Sequence, residues 1–120
     1  MDLVLDHTIV PAKDRDESAR FYARVFDLRY DGPRGHFAPV KVNDTLTLDF
    51  ADDDQFERHH YAFRTDRAGF DAILGRLTAD HVPFGSTPGS ADDGRTMHRS
   101  GGLSVYFRDP NGHLLQVLSA

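Results

Sequence analysis

The chain contains no cysteine. That absence removes disulfides, thiolate metal sites and cysteine nucleophiles, and leaves histidine, carboxylate and amide oxygen as the donors for any metal. No apolar run is long enough to cross a bilayer, and the start MDLVLDHTIV has neither the basic region nor the hydrophobic segment of a signal peptide. A cytoplasmic protein with no membrane partner is the expectation. Positive charge is in deficit too: 14 Lys and Arg stand against 19 Asp and Glu, a net charge of −5. That balance gives no general attraction for a phosphate backbone, so nucleic acid is not an expected partner. The acidic stretch ADDDQFE lacks the alternating ligands and central glycine of a calcium loop, and mutual repulsion explains it as a solvated connection.

What is present fits one compact domain, since 120 residues can build one cooperative core but not two independent domains of ordinary size. Residues 3–10 alternate Leu3, Leu5, His7 and Ile9 against Val4, Asp6, Thr8 and Val10, the pattern of a strand with two differently used faces. DRDESARFYARVFDL follows. Asp14 with Glu17 three residues on resembles a capping box, and Ala19, Phe21, Tyr22, Val25 and Phe26 give an apolar helical stripe. FAPVKVNDTLTLDF then reads as two extended pieces around Asn43 and Asp44, with Leu46, Leu48 and Phe50 on one face and Thr45, Thr47 and Asp49 on the other.

The order then restarts. HYAFRT is a strand beginning at His60, and Phe70, Ile73, Leu74 and Leu77 follow at helical spacing after caps at Thr65 or Asp66. VPF, RTMH, LSVYFR and HLLQVLS are the remaining extended pieces, and DPNG at 109–112 is a tight reversal. The result is two degenerate strand-helix-strand modules, approximately 1–52 and 58–120, expected to share one core. His7 and His60 occupy comparable early-strand positions in the two modules.

DHTIV near the start, HHYAF at 59–63 and VYFRDPNGHLLQVL near the end together resemble the vicinal oxygen chelate superfamily, which contains glyoxalases, extradiol dioxygenases and fosfomycin- or bleomycin-resistance proteins. The resemblance covers nearly the whole chain. It implies an α+β fold of paired βαβββ modules forming a curved mixed-sheet cup with flanking helices, and a homodimer. It also implies a divalent metal, Mn, Fe, Co, Ni or Zn, held by His7, His60 and Gln116. The terminal position is usually a glutamate; here an amide oxygen replaces it, able to coordinate but without charge. Asp49 is a candidate fourth donor, because late strands of both modules supply ligands in four-ligand members.

If the strand faces look into the cup, Arg64, Tyr106 and Arg108 are candidates to contact a small-molecule substrate, with Arg99 a further anion contact. His98 and Asp49 are the candidate proton-transfer groups, since glutamine cannot serve as the acid or base. His36, His81 and His113 read as exposed or structural. Two function classes stand side by side. One is a metal-dependent enzyme of glyoxalase or dioxygenase type, polarising a carbonyl or stabilising an enediolate. The other is a metal-free protein that binds or sequesters an aromatic or amphipathic compound, as resistance proteins do.

Overall fold

The computed structural model describes residues 1–119; Ala120, the end of the second expected module, lies outside the described residues. The chain is an α+β fold of β-α-β-β-β modules with mixed sheets flanked by helices. Met1–Glu57 and Arg58–Ala120 form two compact units. No helix among the described residues is long and apolar enough to cross a membrane.

The first unit runs β1 (His7–Ala12), α1 (Arg15–Phe26), β2 (Ala38–Lys41) and β3 (Thr47–Asp52). A further strand is reduced to the isolated bridge between Arg34 and Phe37. Helix α1 starts where the Asp14 carboxylate accepts the Glu17 N–H at 3.0 Å, which satisfies one of the helix's orphan donors. It stops at Asp27, whose left-handed backbone (φ 54°) lets its N–H return to the Ala23 carbonyl. The sheet order is β1-β3-β2, with β1 parallel and β2 antiparallel to β3. Asn43 closes the β2–β3 turn by accepting the Thr45 and Leu46 N–H groups on one side-chain oxygen. Val10, Ala12, Val40, Leu48 and Phe50 are buried with Ala19, Tyr22 and Val25 of α1, and the Tyr22 and Phe50 rings lie 4.7 Å apart.

Strand β1 differs from the expected 3–10 span at both ends. The ladder reaches only as far as β3 offers partners: the Thr47 N–H bonds to the Asp6 carbonyl, and ahead of Thr47 the partner chain turns away. Leu3 and Leu5 are consequently exposed. At the other end Pro11 is accommodated because β1 is the edge of this sheet, where a missing N–H breaks no ladder bond.

The second unit runs β4 (His60–Thr65), α2 (Arg67–Ala79), β5 (Phe84–Gly85), β6 (Met97–Arg99), β7 (Gly102–Arg108) and β8 (Leu114–Ser119). Asp66, of the two expected caps, is the one used: its carboxylate accepts the Gly69 N–H at 2.8 Å. The order is β4-β8-β7-β5, with β6 pairing β7 as a hairpin. Strand β4 is parallel to β8, and β7 antiparallel to it. Phe70, Ile73 and Leu77 of α2 are buried, as are Val105, Phe107, Leu115 and Val117 on one sheet face. The turn between β7 and β8 is organised by Asp109, whose carboxylate oxygen accepts the Asn111 and His113 N–H groups at 2.9 Å each. Gly112 provides the positive φ of 86° that this reversal needs.

Candidate functional site

In the first unit one sheet face is buried with the helix and the other is open; in the second the face away from the helix is exposed along β4 but largely buried along β7 and β8, and strand parity decides which side chains stand on it. In the first unit the open row comprises His7 and Ile9 of β1 and Thr47 and Asp49 of β3, with Pro39 and Lys41 of β2. The register is His7 opposite Thr47, Ile9 opposite Asp49, and Pro39 opposite Asp49. His7 and Asp49 are therefore diagonal neighbours on one face. The His7 Nδ1 lies 2.8 Å from an Asp6 carboxylate oxygen. That hydrogen bond raises the His7 pKa above its ordinary value; partial loss of solvent works against it, and the Asp49 charge adds a push in the same direction. A carboxylate on Nδ1 fixes the ring tautomer and leaves Nε2 as the free coordinating or accepting end.

The second unit repeats this arrangement. His60 stands opposite Leu114, Ala62 opposite Gln116, and Tyr106 opposite Gln116. In both units the histidine opens the first strand and is paired two positions before the polar residue on the central strand. Gln116 is therefore the counterpart of Asp49, and Tyr106 that of Pro39. Gln116 is only 6% exposed. Its Nε2 donates to the Ser104 hydroxyl at 3.2 Å, its one side-chain hydrogen bond among the described residues, so Oε1 is left without a donor. The His60 ring is exposed and makes no hydrogen bond among the described residues; the Tyr106 ring lies 6.3 Å from it.

The remaining expected residues separate. Arg108 shares the face of Tyr106, and its guanidinium donates to the Gly112 carbonyl at 3.0 Å, bracing the turn. Arg64 stands on the open parity at the opposite end of β4 from His60. His98 pairs with Leu103, the parity of Val105 and Phe107, which sets it on the other face from His60 and Gln116; Arg99 follows it on the open parity. Among the described residues no group of three His, Asp or Glu is placed to hold an ion. Each unit taken alone supplies two donors, an imidazole with a carboxylate or an imidazole with an amide.

Two residues of structural weight have no sequence signature. His113 is fully buried, and its Nδ1 accepts the His59 N–H at 2.8 Å. His59 in turn places its Nδ1 2.5 Å from the Tyr61 hydroxyl, whose pKa is raised by burial first and by the Asp109 charge second. This cluster anchors the residue immediately before His60, so it sets the start of β4.

Residues 4–117 match the model of the family described as the glyoxalase/bleomycin resistance protein/dioxygenase superfamily. Among solved structures, the oxidase ChaP-H2 is 36% identical over 100% of this chain and 95% of its own, with a TM-score of 0.94. The oxidase ChaP-H1 is 38% identical over 99% and 97%, with a TM-score of 0.92. A lactoylglutathione lyase from Agrobacterium tumefaciens, 23% identical over 97% of this chain and 92% of its own with a TM-score of 0.73, shares the fold. No curated protein matches the sequence.

Proposed function

The chain belongs to the glyoxalase/bleomycin resistance protein/dioxygenase superfamily, and on that premise we propose that it binds a small hydroxylated aromatic compound on the face of its second sheet that carries His60 and Gln116. One observation carries the reading: a nearly buried amide, Gln116, spends its nitrogen on Ser104 and leaves its oxygen without a donor. That oxygen is not sealed from solvent, so a ligand's donor can reach it in place of water. A phenolic or enolic hydroxyl would supply the missing donor, its ring resting against Tyr106 with His60 beside it as a second polar contact.

The reading is tested by calorimetric titration with 1-naphthol and its methyl ether, which differ only in the donated hydrogen. The naphthol is expected to bind about tenfold more tightly, the worth of one hydrogen bond to a buried group at about 1.4 kcal/mol. Gln116→Leu should erase that preference while leaving the ether's affinity unchanged. Equal affinities for the two compounds in the native protein, or no binding of either, refute the proposal.

Oxidation of the bound compound by dioxygen, which would take up its electrons with the help of a divalent ion, is the second reading. Two observations favour it: the Asp6 carboxylate on His7 Nδ1 is the support that coordinating imidazoles commonly have, and the two full-length relatives above are named oxidases. The donor chemistry fits Mn, Fe, Co, Ni or Zn, with His7 and Asp49 on one sheet and His60 and Gln116 on the other, although neither pair alone is a complete set. Bound there, an ion would supply Lewis-acid or one-electron chemistry. In this reading the protein's own residues orient the donors: Asp6 fixes the His7 tautomer and Ser104 holds the Gln116 amide with its oxygen outward. Elemental analysis after metal loading decides between the readings. About one ion per chain, lost in His60→Ala and held more tightly in Gln116→Glu, favours the metal; no stoichiometric retention leaves binding alone.

A further inference from the structure

Four cationic or titratable side chains gather at the end of the second sheet remote from His60. Arg64 is near the end of β4, Arg67 opens α2, and His98 and Arg99 lie on β6. They border two cavities of about 400 and 390 Å³ at the Ser100–Gly101 tip of the β6–β7 hairpin. Arg99, Ser100, Leu103 and Ser119 line both; Arg67 and His98 complete the first, Arg64 and Leu118 the second. Arg64 lies four residues from His60, about 13 Å along an extended strand at roughly 3.3 Å per residue. Arg64 and Leu118 stand on the same face as Gln116, at the end of the sheet away from His60.

Among the described residues, three guanidiniums at this end stand beside two carboxylates, Asp66 and Asp71. Arg67 has a carboxylate partner, Asp71 at 3.0 Å, both side chains well exposed. The Arg64 and Arg99 side chains have no hydrogen bond or ion pair among the described residues. The nearby Asp66 carboxylate caps α2 at the Gly69 N–H and places one negative charge at the positive end of that helix; the first turn itself carries no further acidic residue. Arg99 shares one cavity with Arg67 and the other with Arg64; like charges so placed repel, and the buried Leu103 side chain on both walls lowers the local dielectric and reduces screening. A bound dianion would reverse the sign of that repulsion. Guanidiniums present planar forks of N–H donors that match the oxygens of a phosphate group.

We propose that the end of β4, the start of α2 and the β6–β7 hairpin form a binding site for a phosphate-type dianion, at the end of the sheet remote from His60. The volume exceeds that of a single phosphate group, so an attached organic portion has room. The site does not depend on the proposed ligand of the Gln116 face, and either can fail alone.

The test is a titration of the full chain with inorganic phosphate and with phenyl phosphate at constant ionic strength, read by amide NMR shifts. Saturable shifts of Arg67, Arg99, Ser100 and Gly101 are expected, weakened at least tenfold in Arg99→Ala and only partly in Arg99→Lys. Arg34→Ala, an exposed arginine of the other unit, should change nothing. Tighter binding of phenyl phosphate would identify a phosphorylated small molecule as the ligand, and equal binding the free ion; either supports a phosphate site. Shifts that chloride reproduces at equal ionic strength, or that Arg99→Ala leaves unaltered, overturn it. Because Arg99 is exposed, the spectrum of the variant itself reports that the fold is retained.

Discussion

Replacing His113 with leucine will destabilise the protein, in part by leaving the His59 N–H without its acceptor. The imidazole is fully buried, so a leucine of similar size keeps the volume filled and adds little cavity cost. It removes the acceptor of the His59 N–H, now met at 2.8 Å, together with the imidazole's other contacts. An unpaired backbone donor in a partly buried place costs about 1 to 3 kcal/mol. For a chain of this size that lowers the melting temperature by about 4 °C per kcal/mol. His113→Ala should cost roughly 2 kcal/mol more than the leucine variant, because it also empties the space between the His59 and Tyr61 rings. Urea unfolding gives the free energies, and hydrogen exchange at the His59 amide reports the bond itself. Because His59 precedes His60, the first residue of β4, the leucine variant should also increase exchange at the start of β4. Stability within 0.5 kcal/mol of the native protein, with the His59 amide still protected, would refute the reasoning.

Three further outcomes follow from the same geometry. A Cβ at Gly85 would collide with the Ser90 carbonyl oxygen and come within 2.6 Å of the Ala91 carbonyl carbon, so Gly85→Ala should cost about 3 kcal/mol in urea unfolding. The Asp93 pKa is lowered, chiefly by the Ser86 hydroxyl and then by backbone N–H donors of Arg95 and Ser86, against an opposing desolvation. Its contribution to stability is therefore complete above the unfolded-state pKa and lost as pH falls through the depressed folded value. Asp93→Asn should remove that part of the acid dependence of 84–95 loop protection, measured by exchange between pH 5 and 3. Tyr30 is held neutral up to a pKa of about 12, by burial first and by its hydrogen bond to Asp16 second. The stability this represents is complete below the unfolded pKa and lost as pH rises through 12. Alkaline absorbance titration should show a late tyrosine that Tyr30→Phe deletes.

The order of strands and helices was legible because hydrophobic period and capping residues act locally. Asp14 and Asp66 cap their helices through bonds to residues three ahead, a distance along the chain that is fixed before any tertiary contact forms. Strand parity was equally legible: a period of two puts Thr47 with Asp49, His60 with Arg64 and Tyr106 with Arg108. Strand ends were less so, and β1 begins at His7 instead of residue 3 because its length depends on β3. The burial of His113 was not legible at all. It results from the Asp109-organised turn folding the imidazole under the His59 backbone, a contact between residues 54 apart in sequence.

The sequence by itself determined the family, the two-module plan and the side-chain types on each open face, because these follow from local spacing and motif. Only the tertiary structure decided the cross-strand register. That register makes Gln116 the counterpart of Asp49, sets Tyr106 opposite the amide, and turns His98 to the other face. It also gathers Arg64, Arg67 and Arg99 around shared cavities far from His60. The physical reason is that a strand's own period says which residues share a face, whereas the partner's hydrogen-bond ladder says which residues stand opposite. A slip of one residue in that ladder would have reversed every one of these assignments.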